Sequence, residues 1–378
     1  MRKEEISSKK RFTPLNLRIE GKYYLAIPII AVLLSAIGLV FIYSASCYAA
    51  EINYGDKFFY VKKQAIALAA GVILMIVGSR IKTDVFVKFK WVVFVLSAIL
   101  LALVFIPGLG VSSYGATRWL NLGFTSMQPS EIAKFGFVIF LAAFMSEYPP
   151  VSVKNAIVPL LSGGVICGLI MAEPNMSITV VVGLSLLVML FIGGFNGKLM
   201  AVLGVCVLVF GVLLIVLEPY RMDRFTAFLD PWKNPKDEGY QLIQSYYAIG
   251  SGGLFGVGIF NSRQKFLFLP FAESDFVFSV IGEETGLFGC LAIMLLFLAY
   301  VLCGIKIARK ADTRYHSLLA AGLTTVTALQ AMINFAVVSG CVPPTGVPLP
   351  FVSAGGTSLV TFTFVSGLLW NIARNHSK

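Results

Sequence analysis

Ten separate runs of apolar residues divide this chain, and each is close to the roughly 20 residues that an α-helix needs to cross a lipid bilayer. They lie at 23–48, 62–79, 91–107, 129–146, 155–171, 176–194, 199–217, 276–303, 316–338 and 351–371. With 57% hydrophobic and 13% charged residues, the chain is also far more apolar than a soluble domain. The sequence therefore predicts an all-α polytopic integral membrane protein with ten transmembrane helices.

The distribution of lysine and arginine predicts the orientation of these helices. The polar tail 1–22 and the short loops at 80–90 and 306–314 are rich in both residues, whereas most of the alternate short loops carry fewer. Because short cytoplasmic loops hold the excess of positive charge, both termini are expected in the cytoplasm, including the tail 374–378. The long loop 218–275 of the membrane domain 23–373 then lies outside the cytoplasm, and it is too long to be a mere connector.

Charge and cysteine usage exclude other classes of function. A net charge of +11 suits positive cytoplasmic loops, and no basic domain interleaved with aromatic residues is present to bind nucleic acid. The six cysteines lie singly in or beside apolar runs without a CxxC pair, which is typical of small hydrophobic residues. The two histidines are far apart in sequence, so no metal site is predicted.

The stretch 261–284, NSRQKFLFLPFAESDFVFSVIGEE, is the strongest candidate for chemistry. It begins with Arg263 and Lys265, reaches Asp275, and then enters an apolar run that contains Glu283 beside a second glutamate. Acidic residues inside a membrane span are costly and usually mark function. An alternative for Asp275 is a purely structural one, in which its charge stabilises the start of a helix through the helix dipole.

A second constellation precedes the fourth span, in the sequence 115–136. Pro129 and Ser130 are good first-turn residues, and Glu131 and Lys134 are three apart, so they share one helix face. An ion pair that closes the mouth of the bundle explains this pair equally well. The EPN turn at 173–175 is likewise open to either a functional or a simple proline-turn interpretation.

The sequence 342–358, VPPTGVPLPFVSAGGTS, cannot form a regular helix because of its prolines and glycines. Irregular backbone at membrane depth is tolerated where protein buries it or where it lines a cavity. We expect it to shape a cavity wall, with a rigid turn as the alternative. The glycine cluster at 248–258 lacks the spacing of a phosphate loop and favours close backbone packing.

These motifs together resemble the SEDS family of cell-wall glycan polymerases, which includes FtsW, RodA and SpoVE. GATRW, QPSEIAK, EPN, GYQLIQS, AIGSGG, NSRQK, SDFVFSVIGEE and PPTGVPLPF occur in the family's order, from about residue 23 to 375. The NSRQK segment is more similar to the division and sporulation members than to RodA. Three positions depart from the family pattern: Asn175, Ala354 and Phe271. The first weakens any acid–base role for the EPN turn.

The resemblance implies ten helices and a peptidoglycan glycosyltransferase that uses lipid II at the outer face of the bacterial cytoplasmic membrane. It also implies a role at the division septum or in the spore wall. It implies an essential aspartate at Asp275 and places Arg118, Trp119, Glu131 and Lys134 at important positions. The implied partners are a class B penicillin-binding protein, the growing glycan strand, membrane lipid and other division or elongation proteins.

The chemistry of glycan extension fits these residues. A sugar hydroxyl attacks an anomeric carbon that carries a lipid diphosphate, so the site needs a base and several cations. Asp275 is the candidate base. The candidates to hold the diphosphate are four basic side chains, Arg118, Lys134, Arg263 and Lys265. Glu283 is given a supporting role beside a buried cation. The predicted substrate-binding set is Arg118, Trp119, Gln128, Ser130, Glu131, Lys134, Arg263, Lys265, Glu283, Pro350, Ser353, Gly355 and Gly356.

Two other functions stay open. A lipid II flippase would also use buried charges and a proline-broken span, although the charges here cluster in the outer half. A scaffold without catalytic activity is the third candidate. No cofactor is predicted, and assistance by a divalent cation such as Mg²⁺ or Mn²⁺ is left open because no ligand cluster stands out in the sequence.

Overall fold

The computed structural model describes residues 23–113, 116–121, 123, 126–237 and 239–375. Its helices are α1 (Ala26–Tyr54), α2 (Phe59–Gly78), α3 (Val85–Lys88), α4 (Lys90–Ala102), α5 (Pro129–Glu147), α6 (Val153–Ala172), α7 (Met176–Ile192), α8 (Gly197–Val216), α9 (Pro219–Leu229), α10 (Tyr240–Gly252), α11 (Val277–Lys310), α12 (Arg314–Val338) and α13 (Gly356–Asn375). The tail 1–22 and residues 376–378, with one of the two histidines, lie outside the described residues.

Every predicted apolar run corresponds to a helix, which confirms the helical membrane fold. Seven helices in the described part of the chain, α1, α2, α5, α6, α11, α12 and α13, are long and apolar enough to cross a membrane. Three more, α4, α7 and α8, are apolar but shorter. The count of ten crossings therefore stays a prediction.

The bundle is built around α5, which contacts α4, α6, α7, α12 and α13 and is buried along almost its whole length. Pro129 begins this helix, where its missing N–H removes no hydrogen bond. Phe140 of α5 packs against Trp91 of α4, with ring centroids 5.1 Å apart. By contrast, α8 leaves large side chains such as Val205 and Leu208 exposed, as expected of a helix that faces lipid.

Helix α11 is broken at Gly286, whose φ of 67° and ψ of −163° are not helical. The break leaves backbone groups without partners inside the helix, and the glycine-rich segment 252–258 supplies them. Val257 N donates to Glu283 O (2.9 Å), and Leu287 N donates to Gly253 O (2.9 Å). A Cβ on Gly286 would lie 2.4 Å from the backbone nitrogen of residue 256, so only glycine fits. The prediction of close backbone packing for this glycine cluster is confirmed.

Two features were not predicted. The long loop 218–275 contains the helices α9 and α10, and the segment before α5 forms a three-stranded antiparallel sheet. Its strands are β1 (Gly110–Ser113), β2 (Ala116–Asn121) and β3 (Ser126–Met127). The predicted last span, 351–371, begins too early: residues 351–355 are irregular, with φ of 65° at Phe351, and α13 starts at Gly356.

Candidate active site

Asp275 stands just before α11, and the backbone around it is bound by other elements. The Glu273 carbonyl accepts a hydrogen bond from Ala354 N (2.9 Å). The Ser274 carbonyl accepts one from Ser353 Oγ (2.5 Å). The third, the carbonyl of Asp275, accepts from Asn334 Nδ2 of α12 (2.9 Å). Three consecutive hydrogen bonds fix this backbone, and a fixed backbone is what a precisely placed catalytic side chain requires.

The surroundings of the Asp275 carboxyl suit a general base. Burial raises its pKa to about 6, and the negative charge of Glu273 acts in the same direction. A hydrogen bond from Ser274 and the positive charges of Arg224 and Arg118 oppose this rise. A pKa near 6 leaves the carboxylate mostly ionised at neutral pH and close to the range in which proton transfer is efficient.

The structural alternative for Asp275 is not supported by the start of α11. The helix begins at Val277, no side chain caps it, and its first turn contains no acidic residue. The Ser274 hydroxyl, which also contacts the Asp275 carboxyl, lies 3.5 Å from the Phe271 carbonyl and does not cap the helix. Neither side chain therefore serves as the helix cap.

The proline-rich segment 342–355 lies against the Asp275 carboxyl. A Cβ built on Gly346 would be 3.1 Å from Asp275 Oδ2, so the glycine allows the two chain segments to approach closely. Within the segment, Leu349 N donates to Ser353 Oγ (2.8 Å), and Val352 N donates to the carbonyl of Pro350 (2.8 Å). These bonds hold a compact turn beside the acid, as expected of a wall of the site.

Two buried amides of α12 bind the same proline-rich segment. Asn334 Nδ2 donates to the Val347 carbonyl (2.8 Å), and Gln330 Nε2 donates to the Pro348 carbonyl (3.0 Å). The two residues are four apart and therefore occupy one face of the helix. Sequence reasoning missed both, although two amide side chains inside an apolar span were a signal for them.

Lys134 and Glu131 form a buried ion pair near the start of α5. Their side chains are 0% and 1% exposed, and Lys134 Nζ lies 2.8 Å from Glu131 Oε2. The ammonium also donates to Gln330 Oε1 (2.6 Å) and lies 4.7 Å from the centre of the Phe362 ring. Glu131 Oε1 is buried without a hydrogen-bond partner among the described residues. Lys134 is thus enclosed in this structure.

Arg118 connects strand β2 to the turn between α6 and α7. Its Nε donates to the Glu173 carbonyl (3.2 Å), and its terminal nitrogen donates to the Pro174 carbonyl. The Glu173 side chain is 0% exposed, and both of its carboxyl oxygens lack a partner among the described residues. Burial raises the pKa of Glu173 to about 8, against the opposing charge of Arg118. Because Arg118 also acts on Asp275, one guanidinium influences two acids.

The neighbours of Arg118 in the predicted set have other surroundings. Trp119 follows Arg118 on β2, so the two side chains point to opposite faces of the sheet. Asn175, the departure from the family pattern, caps α7 by accepting from Ile178 N (3.4 Å) and donates to Ser130 Oγ (3.4 Å). An amide in this position serves as a helix cap, which accounts for its presence without acid–base chemistry.

A separate cluster surrounds the two glutamates of α11. Glu283 Oε1 accepts from the backbone nitrogen of Arg263 (2.8 Å), and Glu283 Oε2 accepts from Ser262 Oγ (2.5 Å). The expected cation stands instead beside Glu284, whose Oε1 is 3.9 Å from Lys265 Nζ. The prediction that Glu283 pairs with a buried cation is therefore wrong by one residue.

This cluster is distinct from the surroundings of Asp275. Glu283 lies eight residues after Asp275, which corresponds to about 12 Å along a helix. Lys265 is buried and also donates to the Phe260 carbonyl, so it is held within the cluster, whereas Arg263 is exposed. The structure thus places Arg118, Ser353 and the proline-rich segment around Asp275, and Arg263, Lys265 and Glu283 elsewhere.

Other predicted residues connect helices at the site. Gln128 N donates to Thr357 Oγ1 (3.2 Å), which connects the start of α5 to the first turn of α13, where Gly356 lies. Gln64 of α2 donates to the Ser353 carbonyl (3.0 Å), and its Oε1 accepts from Gly355 N (3.1 Å). Gln64 was also missed by sequence reasoning.

In the part of the chain that the structure describes, no three side chains of histidine, cysteine, aspartate and glutamate come together to hold a metal ion. A divalent cation at this site would depend on one or two carboxylates, such as Asp275 and Glu273, with phosphate oxygens of a substrate completing its shell. Such a shell is usual for Mg²⁺.

Comparison with known proteins identifies the family. The model of a cell cycle protein family, FtsW/RodA/SpoVE, matches residues 24–378. Stage V sporulation protein E of Bacillus subtilis is 39% identical over 356 residues, which cover 93% of this chain and 96% of that protein. A Coxiella burnetii protein named "Probable peptidoglycan glycosyltransferase FtsW" is 38% identical, over 94% of this chain and 97% of its own.

Solved structures share the fold. A chain from a peptidoglycan synthase complex, described as coordinating polymerization and crosslinking, superposes with a TM-score of 0.76 at 25% identity, over 93% of this chain and 98% of its own. The rod shape determining protein RodA of Thermus thermophilus superposes with a TM-score of 0.69 at 24% identity, over 93% and 97%. The resemblance drawn from the motifs is confirmed, and the chain belongs to the FtsW/RodA/SpoVE family of cell cycle proteins.

Proposed function

We propose that this chain is a peptidoglycan glycosyltransferase that polymerises lipid II into glycan strands at the outer face of the bacterial cytoplasmic membrane. The observation that carries the proposal is Asp275, a carboxyl with a pKa raised to about 6 on a backbone held by other elements and influenced by two arginines. The name of the FtsW relative supports the same class of reaction.

In this mechanism a hydroxyl of the acceptor sugar attacks the anomeric carbon of the donor sugar. The bond from that carbon to the lipid diphosphate breaks as the glycosidic bond forms. Asp275 accepts the hydroxyl proton as general base. Arg118 and Arg224, whose charges act on Asp275, stabilise the negative charge that develops on the departing diphosphate.

The other predicted cations act differently in this proposal. Lys134 is enclosed by Glu131 and Gln330, so it stabilises the wall of the site through these bonds. Lys265 holds the NSRQK loop beside Glu284. Arg263, unlike the buried Lys134, is exposed, so it can contact a lipid diphosphate that approaches from the membrane surface.

The proposal extends to topology, place and partner. Both termini lie in the cytoplasm and the loop 218–275 lies outside, which follows from the distribution of basic residues. The chain acts at the division septum or in spore-wall synthesis, in line with its FtsW and sporulation relatives. A class B penicillin-binding protein crosslinks the strands, and the description of the synthase complex supports such a pairing.

A lipid II flippase is the second candidate, and the break in α11 is the observation that favours it, because transporters build their sites from discontinuous helices. In this chain, however, the segment 252–258 binds backbone groups on both sides of the break, at Glu283 and at Leu287, where a transporter would offer them to an ion or substrate. The enzyme is therefore the better-supported function.

The test is polymerisation of labelled lipid II by the purified full-length protein in detergent, alone and with its class B penicillin-binding protein. We expect glycan strands from the wild type and none from Asp275→Asn, with both proteins eluting identically in size-exclusion chromatography. Glu51→Gln, a change at an exposed carboxyl, is the matched control and should keep its activity. Strands made by Asp275→Asn would contradict the base, and transport of lipid II across vesicles without any strands would favour the flippase.

A further inference from the structure

Asn334 of α12 is a buried amide whose hydrogen bonds reach two segments of the site at once. Its Nδ2 donates to the carbonyls of Asp275 (2.9 Å) and Val347 (2.8 Å), and the side chain is 1% exposed. Both N–H groups are therefore used. Rotating the amide by 180° would put its oxygen against two carbonyl oxygens, so the orientation is determined by the contacts.

The two carbonyls belong to the two segments that meet at the candidate base. One is the carbonyl of Asp275 itself, and the other lies next to Gly346, which faces Asp275 Oδ2. This side chain thus bridges the acid and the wall beside it, in addition to the two hydrogen bonds that Ser353 and Ala354 of the wall make to the segment 273–275. Since α12 is packed against α5 and α11, Asn334 is held on a rigid element, which favours precise placement of what it binds.

Gln330, one turn earlier, binds the neighbouring part of the wall but not the acid. It donates to the Pro348 carbonyl (3.0 Å) and accepts from Lys134 (2.6 Å). The face of α12 therefore separates two tasks: Gln330 connects the wall to the buried ion pair, and Asn334 connects it to Asp275. Of the two amides, only Asn334 contacts the backbone of the acid.

We propose that Asn334 is a positioning residue for Asp275, which places the carboxylate for proton transfer by holding the Asp275 and Val347 carbonyls together. It does not touch the substrate in this account. The inference rests on the proposed function, since it assigns Asn334 a part in the same reaction. A loss of these two bonds leaves two buried carbonyls unpaired and removes the one of the three hydrogen bonds to the segment 273–275 that is made at Asp275 itself, so that this residue can shift. Misplacement of a reacting group by about 1 Å can cost a rate factor on the order of 100.

The experiment uses Asn334→Leu, which preserves the approximate volume and removes both donors, in the full-length protein with labelled lipid II. We expect kcat to fall about 10- to 100-fold with KM changed less than about 3-fold. The acid limb of kcat/KM against pH should also move to lower pH, because a displaced carboxyl gains water and its pKa returns toward that of an ordinary aspartate. A role in folding alone would leave that limb in place.

Two further variants keep the test decisive. Thr324→Val, ten residues earlier on α12, removes a buried hydroxyl that donates to the Ala320 carbonyl of its own helix (2.7 Å), and should leave kcat and the acid limb unchanged. Asn334→Gln retains the amide but displaces it by one methylene, so it should fold and show an intermediate loss of kcat. If Asn334→Leu does not fold, the glutamine variant decides.

The inference fails if Asn334→Leu and Asn334→Gln keep the kcat and acid limb of the wild type, or if their loss falls on KM alone. These results remain distinct from failure of the proposed function. An active Asp275→Asn variant would refute the assignment of Asp275 as the base. An inactive Asp275→Asn variant beside fully active Asn334 variants would refute only the positioning role of Asn334.

Discussion

Gly346 faces the carboxylate of Asp275 so closely that a methyl group in place of its hydrogen would lie 3.1 Å from Oδ2. The contact joins two segments that are about 70 residues apart in sequence, one rich in proline and one that leads into α11. It also identifies the position at which the smallest change of side chain acts directly on the candidate base.

Gly346→Ala tests this contact. The added Cβ must displace the Asp275 carboxylate by a few tenths of an ångström, so we expect kcat for lipid II polymerisation to fall about 10-fold while KM changes little. Gly164→Ala, a glycine on α6 with open space around it, is the control and should keep its activity. Equal rates for both variants would show that the carboxylate tolerates a closer neighbour.

The pKa of Asp275 predicts the pH dependence of the reaction. A general base must be deprotonated, so kcat/KM should fall as the pH drops below about 6. The negative charge of Glu273 raises this pKa and the positive charge of Arg224 lowers it. We therefore expect Glu273→Gln to move the acid limb to lower pH and Arg224→Gln to move it to higher pH. Shifts of the same sign would contradict the assignment of that limb to Asp275.

Glu173 predicts a dependence of stability on pH that is independent of catalysis. Its pKa is about 8 in the folded protein against an ordinary value of 4.5, so the folded state holds a proton that the unfolded state loses between these values. The free energy of unfolding should therefore decrease as the pH rises through this window.

Glu173→Gln removes this effect. We expect its apparent melting temperature in detergent to exceed that of the wild type at pH 8 by at least about 2 °C and to match it near pH 5. The measurement is a thermal unfolding series between these pH values. A difference that does not vary with pH would mean that the carboxyl keeps its ordinary pKa in the folded protein.

The break in α11 predicts a sensitive position far from the chemistry. Gly286 has φ of 67°, and a Cβ there would lie 2.4 Å from a backbone nitrogen of the glycine-rich segment. Gly286→Ala should thus lower the apparent melting temperature by several degrees, since the strain and the clash together cost at least about 1–3 kcal/mol. Gly183→Ala on α7, which has open space, provides the comparison and should melt like the wild type.

Hydrophobic runs were sufficient to predict the long apolar helices, because a membrane requires long apolar segments and the sequence contains them with clear polar interruptions. They could not predict α9 and α10, which lie in the loop 218–275. The error at the last span arose because Phe351 and Val352 are apolar but belong to a turn. Apolar character indicates burial here, and burial does not distinguish a helix from a compact loop. The small sheet escaped notice because its strands have only two to six residues.

The candidate site was predicted in part. The Glu131–Lys134 pair is local, three residues apart, and its geometry follows from helix periodicity alone. The bonds that position Asp275 are not local: Asn334 reaches it across 59 positions, and Gln64 reaches the Ser353 carbonyl across 289. No spacing rule relates such residues, so their partners could be found only in three dimensions.

The segment 252–258 contributes hydrogen bonds to α11, and this limits where the loop 218–275 can be engineered. An epitope tag or fluorophore inserted there would take away the amides that stabilise the interrupted helix and, through it, the end that carries Asp275. The stretch at 233–237, between α9 and α10, is exposed and does not bind α11 in the described contacts, so it is the better attachment point for labels.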